Sequence, residues 1–399
     1  MSDPGDIVRI GARGDGVTAD GRFVAFAVPG DRVRDDGSVA PGPGHQMPPC
    51  RHFPDCGGCA LQHVADPAYA NWAVARIAGA LGAAGVAAGA WEPVHLSPPR
   101  SRRRASLRAV RRGGQLTLGF NADASHRIVD IRECHVLLPE LFALVAPLRI
   151  LLRAVLKDGQ GAGVTLTASE TGVDLLLANV AAERHADLER LADFAAAHDL
   201  ARLSVETEAG VQTIAERRAP TVTMGGITVA LPTAAFLQAT RDGEAALVAA
   251  VMTATHGAAR VADLFSGLGT FALPLARVAK VLAVDAAGPA VLALQAAGRG
   301  VGLPLAVAHR DLFRRPLTAP ELAAFDAVVF DPPRAGAAAQ AVELAASRVP
   351  VVVAVSCNPS TFARDAALLT GGGYHLDRLW PVGQFRWSTH VELVARFVR

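Results

Sequence analysis

Apolar and polar side chains alternate through IVRIGARGDGVTADGRFVAFAVPGDRV, residues 7–33, with glycine-rich turns between the runs. That pattern predicts two or three strands of a small barrel. DDGSVAPGPGHQMPP, residues 35–49, has the Pro/Gly content of a linker. Residues 66–90 follow an alanine-rich helical pattern. SLRAVRR, QLTLGF and RIVDIREC then predict strands within 100–135. Farther on, VTLTASETGVDLLLANV reads as a hairpin and ADLERLADFAAAHD as a helix.

The rhythm changes near residue 225. RVADLF, KVLAVDA, LAVAHRD, FDAVVFDPP and PVVVAVSC are short runs that are apolar throughout, with helical segments between them. Strands buried on both faces have this look, so a parallel sheet covered by helices is expected. The tail HLDRLWPVGQFRWSTHVELVARFVR supplies two more strands, expected as an antiparallel finish. The division that follows is a barrel-like segment over 1–40, a central α+β region over 41–220 and a Rossmann-like α/β domain over 221–399.

At 399 residues the chain has room for two or three domains. Its longest apolar stretch, Leu141 to Leu156, is broken by Pro147, Arg149 and Arg153, so no membrane span is expected. The N-terminus lacks a basic region followed by an apolar core, which points to a cytoplasmic protein. Of the 39 basic side chains only Lys157 and Lys280 are lysines. Arg100, Arg102, Arg103, Arg104, Arg108, Arg111 and Arg112 fall together without an intervening acid. Such a run is ordinarily a solvated face. Its density points instead to RNA or another polyanion, because guanidinium groups pair with phosphate and stack on bases.

Candidate chemistry falls in two places. VADLFSGLGTFALPLA is a strand, a turn and a helix, in which Gly267 and Gly269 let a ligand approach the backbone. Asp285 ends the next strand, where a carboxylate can hold ribose hydroxyls. The GxGxxG of dehydrogenases is absent because position 272 is alanine. Asp263 before the turn and Asp331 in DPPR suit a methyltransferase better. Cys357 follows the fifth strand at the same rim. A lone cysteine there is by default a small buried hydrophobe, but Ser356, Asn358 and Pro359 form a polar turn that exposes it. A thiolate adding to C6 of uracil makes C5 nucleophilic, and Glu392 is the candidate base for the C5 proton. The other place holds Cys50, Cys56, Cys59 and the distant Cys134, whose spacing suits zinc or an iron–sulfur cluster. His52, His63 and His135 lie near them and read as structural or RNA-facing.

CRHFPDCGGCALQH with REC, FLQAT, DLFSGLGTFALPLA, DPPRAG, VSCNPSTFARD and HVEL occur in the order found in one family. The chain resembles the class I S-adenosylmethionine-dependent RNA uracil-C5 methyltransferases, in their iron–sulfur-containing 23S rRNA branch. That resemblance implies Cys357 as nucleophile and Glu392 as base. It implies Gln238, Phe265, Gly267, Gly269, Thr270, Asp285, Asp311 and Asp331 at the S-adenosylmethionine site, and Cys50, Cys56, Cys59 and Cys134 around a [4Fe–4S] cluster. The N-terminal segment resembles a truncated OB-like TRAM domain. Departures are Asp285 where glutamate is usual and Thr270 where asparagine is common. RNA, expected as 23S rRNA, is the implied partner of a monomer. The alternatives are a transfer-RNA uridine methyltransferase, an amino-directed nucleic-acid methyltransferase using DPPR, and a non-catalytic RNA-binding or iron–sulfur sensor protein.

Overall fold

The computed structural model describes residues 3–180 and 184–399. Five short strands open the chain: β1 (Ile7–Ile10), β2 (Gly16–Thr18), β3 (Phe23–Val24), β4 (Arg32–Val33) and β5 (Val39–Ala40). The first three form an antiparallel sheet and the last two a hairpin. The stretch expected as a linker therefore carries β5. It is also tied down by Asp31, which is 1% exposed. The Asp31 carboxylate accepts from the N–H groups of Val28 and Gly42 at 2.9 and 2.7 Å and meets His45 at 3.0 Å. A carboxylate so buried holds its place only with such a set of donors.

Helix α1 (Asp66–Ala83) starts with a proline in its first turn and buries Tyr69, Trp72, Ile77 and Leu81. These side chains share one core with Ile10 and Val28 of the N-terminal segment and Phe330, Val352 and Phe397 of the C-terminal sheet. Next come β6 (Ala88–Trp91) and β7 (His95–Leu96), which join the C-terminal sheet. Packing thus assigns 66–96 to the C-terminal body, across the divisions expected at 40/41 and 220/221. Local patterning carries no sign of this, because the contacts join residues about 300 apart in sequence.

The central region is a seven-stranded sheet in the order β10-β9-β8-β11-β12-β13-β14. Its strands are β8 (Arg104–Arg112), β9 (Gln115–Asn121), β10 (Ile128–Asp130), β11 (Gly161–Ser169), β12 (Gly172–Ala178), β13 (Arg202–Thr207) and β14 (Gly210–Glu216). Helices α2 (Pro139–Ala143), α3 (Val145–Val155) and α4 (His185–Ala197) cover one face. Strand β8 alternates, burying Ala105, Leu107 and Ala109 under α3 while Ser106 and Arg108 point outward.

A hairpin of β15 (Thr221–Met224) and β16 (Ile227–Ala230) leads through α5 (Arg241–Ala254) into the alternating part. There follow β17 (Arg260–Leu264), α6 (Ala272–Leu275), β18 (Lys280–Asp285), α7 (Gly288–Gly300), β19 (Leu305–His309), α8 (Ala319–Leu322), β20 (Ala327–Phe330), α9 (Ala338–Ala346), β21 (Val351–Ser356), α10 (Pro359–Gly371), β22 (His375–Gly383) and β23 (Glu392–Val398). The sheet order is β19-β18-β17-β20-β21-β23-β22-β6. The strands from β17 to β21 pair in parallel and only β23 runs against its neighbours. All four residues of β20 are buried, as a doubly covered strand requires. The order reverses at β17, so the crevice beyond the ends of β17 and β20 is where a ligand belongs. Among the described residues no helix is long and apolar enough to cross a membrane.

Candidate active site and cysteine quartet

The turn after β17 is built for a close ligand. Phe265 and Gly267 have φ of 62° and 52°, and Gly269 has 94°. A Cβ on Gly269 would stand 2.4 Å from Leu294 Cδ1, so that glycine lets α7 pack against the turn. A Cβ on Gly267 would meet nothing within 4 Å, which leaves open space over the backbone. Asp285 accepts from the N–H of Gly267 at 2.8 Å and of Ala287 at 2.7 Å. Each oxygen keeps a free lone pair for a hydroxyl. Phe265 lies 5.4 Å from the half-exposed ring of Phe313. The loop carrying Phe313 is turned by Asp311, which accepts from the Phe313 N–H at 2.9 Å. Both carboxylate oxygens of Asp263 and the hydroxyl of Ser266 are buried without a partner. Burial pushes Asp263 up to about 8, opposed by the nearby Ala272 N–H and helped a little by the Asp285 charge. Orphaned polar atoms beside an open glycine turn fit a polar cofactor with donors of its own. Thr270 turns away, its hydroxyl 4.0 Å from Met224 Sδ.

The second half of the site joins the ends of β20, β21 and β23. Asn358 caps α10 by accepting from the Ser360 N–H at 3.1 Å, with Pro359 in the first turn, and so presents Cys357 at the rim. Glu392 opens β23 and is 3% exposed. Four side chains then form a continuous chain of hydrogen bonds. Gln384 accepts from the Ala239 N–H at 2.8 Å, which fixes its oxygen on that side. Its Nε2 donates to Glu392 Oε2 at 2.9 Å and to Gln238 Oε1 at 2.6 Å. Gln238 Nε2 in turn donates to Asp331 Oδ2 at 3.2 Å.

Burial sets the electrostatics here. Glu392 is pushed up to about 7 by desolvation, with the Gln384 bond and the Arg334 charge pulling the other way. Asp331 is pushed up by desolvation and then by Glu392 and Asp263. Desolvation also raises the Cys357 thiol to about 11, helped by the charges of Glu392 and Asp331 and opposed by Arg334. These three groups therefore sense one another in one desolvated pocket. Arg334 Nη2 lies 2.5 Å from His390 Nε2. His390, buried near Arg334, Arg102 and Arg76, is pushed down to about 4 and accepts that bond as a neutral ring. Gln384, Arg334 and His390 are absent from the residues expected from sequence. DPPR and THVEL contain the latter two, but nothing local marks a buried glutamine between β22 and β23.

Cys50, Cys56, Cys59 and Cys134 all line one cavity of about 830 Å³. Arg102, Arg334, Phe385 and His390 also line it, so the cavity adjoins the reaction pocket. All four thiols are free. Desolvation raises Cys59 to about 12, and the other three thiols add to the effect. The loop is fixed by backbone contacts. His52 Nε2 accepts from the Arg132 N–H at 2.8 Å, Gly57 donates to the Asn121 carbonyl at 3.0 Å, and Ala60 and Leu61 both donate to the Trp387 carbonyl. Of the neighbouring histidines, His52 is thus structural. His63 is also internal, packed against Phe53 and held neutral by burial. Among the described residues no group of three or more His, Cys, Asp or Glu side chains is gathered closely enough to hold one metal ion.

The arginine run is divided by the sheet. Arg103, 3% exposed, pairs with Glu244 at 2.5 Å and donates to the Gln238 carbonyl at 2.9 Å. Desolvation outweighs Arg103 and leaves Glu244 raised, so this pair is deeply internal. Breaking it would cost about 3–5 kcal/mol. Arg111 caps α3 by donating to the carbonyls of Arg153 and Leu156. Neither is available to a polyanion, which corrects the expectation that the whole run forms one surface.

Comparison with known proteins agrees with this geometry. Residues 305–396 match the family described as tRNA (uracil-5-)-methyltransferase. An uncharacterised RNA methyltransferase of Zymomonas mobilis is 46% identical over 98% of the chain and 99% of its own length. The 23S rRNA (uracil(1939)-C(5))-methyltransferase RlmD of Halomonas elongata is 33% identical over 95% of the chain and 86% of its own. The fold is that of Pyrococcus abyssi tRNA (uracil-54, C5)-methyltransferase, solved with S-adenosyl-L-homocysteine. The TM-score is 0.77 at 22% identity, covering 99% of both chains. Through relatives that align along nearly its whole length, the chain belongs to the S-adenosylmethionine-dependent RNA methyltransferases.

Proposed function

We propose that the protein methylates C5 of a uridine in RNA, with Cys357 as nucleophile and Glu392 as base. The carrying observation is that Cys357, Glu392 and Asp331 stand at the adjoining ends of β21, β23 and β20, with Glu392 and Asp331 linked through Gln384 and Gln238. Amino-directed methylation needs the acidic loop of Asp331 but neither a thiol nor a second carboxylate. The target base, extruded from its stack, enters beside Cys357. The Cys357 thiol, held protonated by burial, gives its proton to solvent as its sulfur bonds to C6, and the electron pair of the C5–C6 double bond moves into the ring enolate. Asp331 and Gln238 stand where they can hold the polar edge of the ring. S-adenosylmethionine, if bound at Gly267, Asp285 and Phe265, would supply the electrophilic methyl group to C5, its S–CH3 bond breaking to leave the neutral thioether S-adenosylhomocysteine. Glu392 then accepts the C5 proton, the C6–S bond breaks, the double bond is restored and the sulfur leaves as a thiolate. With Glu392 near 7, the base is close to its most effective range at neutral pH.

The substrate we assign is 23S rRNA, supported by similarity to RlmD along most of the chain. We also assign a [4Fe–4S] cluster to Cys50, Cys56, Cys59 and Cys134. Buried thiols that oppose one another's ionisation on one cavity wall need a cationic group to become thiolates. Three clustered ligands and one distant ligand suit a cubane. The group would tie 50–59 to the segment after β10 that carries Cys134. The deciding experiment mixes the protein with 5-fluorouridine RNA and labelled cofactor. A denaturation-stable adduct that is lost in Cys357→Ala supports the reading. Normal methyl transfer by that variant would refute it.

A further inference from the structure

We propose that the outward face of β8 is a track for the RNA backbone leading away from the reaction pocket. The inference rests on the RNA-directed function above and adds where the flanking strand lies. Alternation along β8 places Arg104, Ser106, Arg108 and Arg112 on the face opposite the helices. At one end Arg102, Arg104 and Ser106 line the cavity that also holds Arg334 and His390. At the other, Arg108 and Arg112 line a separate groove of about 870 Å³, with Arg127 and His126 across it. One strand therefore joins two cavities, over about 25 Å at the usual rise per residue.

The neighbours on this face are small or neutral. Register sets Gly163 and Gly119 on either side of Arg108, Thr165 beside Ser106, and Gln115 beside Arg112. Arg108 lies across Gly163, its Nη1 3.5 Å from where a Cβ would stand. No acidic side chain lines the groove. The contrast with Arg103 and Arg111, both spent on internal carboxylate or carbonyl partners, is complete. A low, uncharged surface crossed by a row of guanidinium groups suits a polyphosphate chain. Among the side chains lining the groove only Val110 and Ile128 are sizeable and apolar, and none is the Trp, Tyr or Phe that anchors protein interfaces.

The test uses the protein and two single-stranded uridine-rich RNA probes of about 30 and about 6 nucleotides, respectively beyond and within the range of one binding site. Arg108→Ala/Arg112→Ala is expected to weaken the long probe about tenfold. Its log–log salt slope should fall by about 1.4, from two phosphates at about 0.7 each. Binding of the short probe should not change, and Arg108→Lys/Arg112→Lys should restore the slope. Unchanged affinity and slope for the long probe, in protein whose melting temperature is unaltered, would overturn the track. Equal weakening of both probes would also overturn it, placing the contacts at the reaction pocket. Methyl transfer by the unaltered protein reports separately on the function, so the two failures are distinguishable.

Discussion

The reaction pocket and the cysteine quartet adjoin each other but are finished to different degrees. In the pocket, Glu392, Gln384, Gln238 and Asp331 satisfy one another through successive hydrogen bonds. In the quartet, the backbone is fixed by bonds from Gly57, Ala60 and Leu61, and burial disfavours the thiolates of Cys50, Cys56 and Cys59. The pocket is arranged by the protein alone, as preorganised catalysis demands. The side chains of the quartet would be drawn together by the cluster proposed for them.

Removing chemistry from the finished region should do the most damage. Cys357→Ala is expected to abolish turnover, lowering kcat by at least about 10⁴-fold, with RNA affinity and melting temperature unchanged. Glu392→Gln should also stop turnover but trap substrate, because the C6–S bond forms and the C5 proton has no acceptor. Gel analysis of enzyme linked to ordinary uridine RNA checks this, and absence of a trapped species would remove Glu392 from the base role.

The quartet predicts a different pattern. Cys59→Ser should leave the reaction pocket intact while loosening the segment that donates from Ala60 and Leu61 to Trp387. Purified under exclusion of oxygen, the unaltered protein should carry about four irons with acid-labile sulfide, as a cubane requires. The variant should lose most of both, and its RNA affinity should fall about tenfold or more. If its affinity equals that of the unaltered protein, the quartet does not organise the RNA-facing side. Retained covalent trapping of a short 5-fluorouridine RNA would sharpen the contrast between the two regions.

Gln384 lies on the border of what sequence could show. The sheet, its antiparallel finish and the positions of Cys357, Asp331 and Glu392 follow from patterns a few residues long: apolar runs, a Gly-x-Gly turn, DPPR. The placement of 66–96, the split of the arginine run and the Gln238–Gln384 link depend on pairing between distant segments, and no local pattern encodes them. Gly267 was legible because a turn needs positive φ; Gln384 was not, because a buried glutamine is marked only by its partners. Replacing it is a smaller lesion than replacing Glu392. Gln384→Leu removes a bond that favours ionised Glu392, so the base should titrate above 7. Activity at pH 7 should drop about tenfold and recover at higher pH. A merely structural loss would lower the profile without moving it.

The smallest effect expected is on stability, at Asp263. Its carboxyl is raised to about 8 by burial, against an ordinary value near 4. The folded state thus holds a proton that the unfolded chain releases. The favourable contribution is complete below about pH 4 and is lost as pH rises through about 8. Asp263→Asn keeps the shape and cannot ionise. Without cofactor, the variant should melt higher than the unaltered protein at pH 8, and the difference should shrink towards pH 4. Equal differences at both pH values would mean that the Asp263 carboxyl already has a partner. The cofactor side of the pocket would then be as self-satisfied as the Gln384 side, and the orphaned oxygens could no longer be read as a place kept for S-adenosylmethionine.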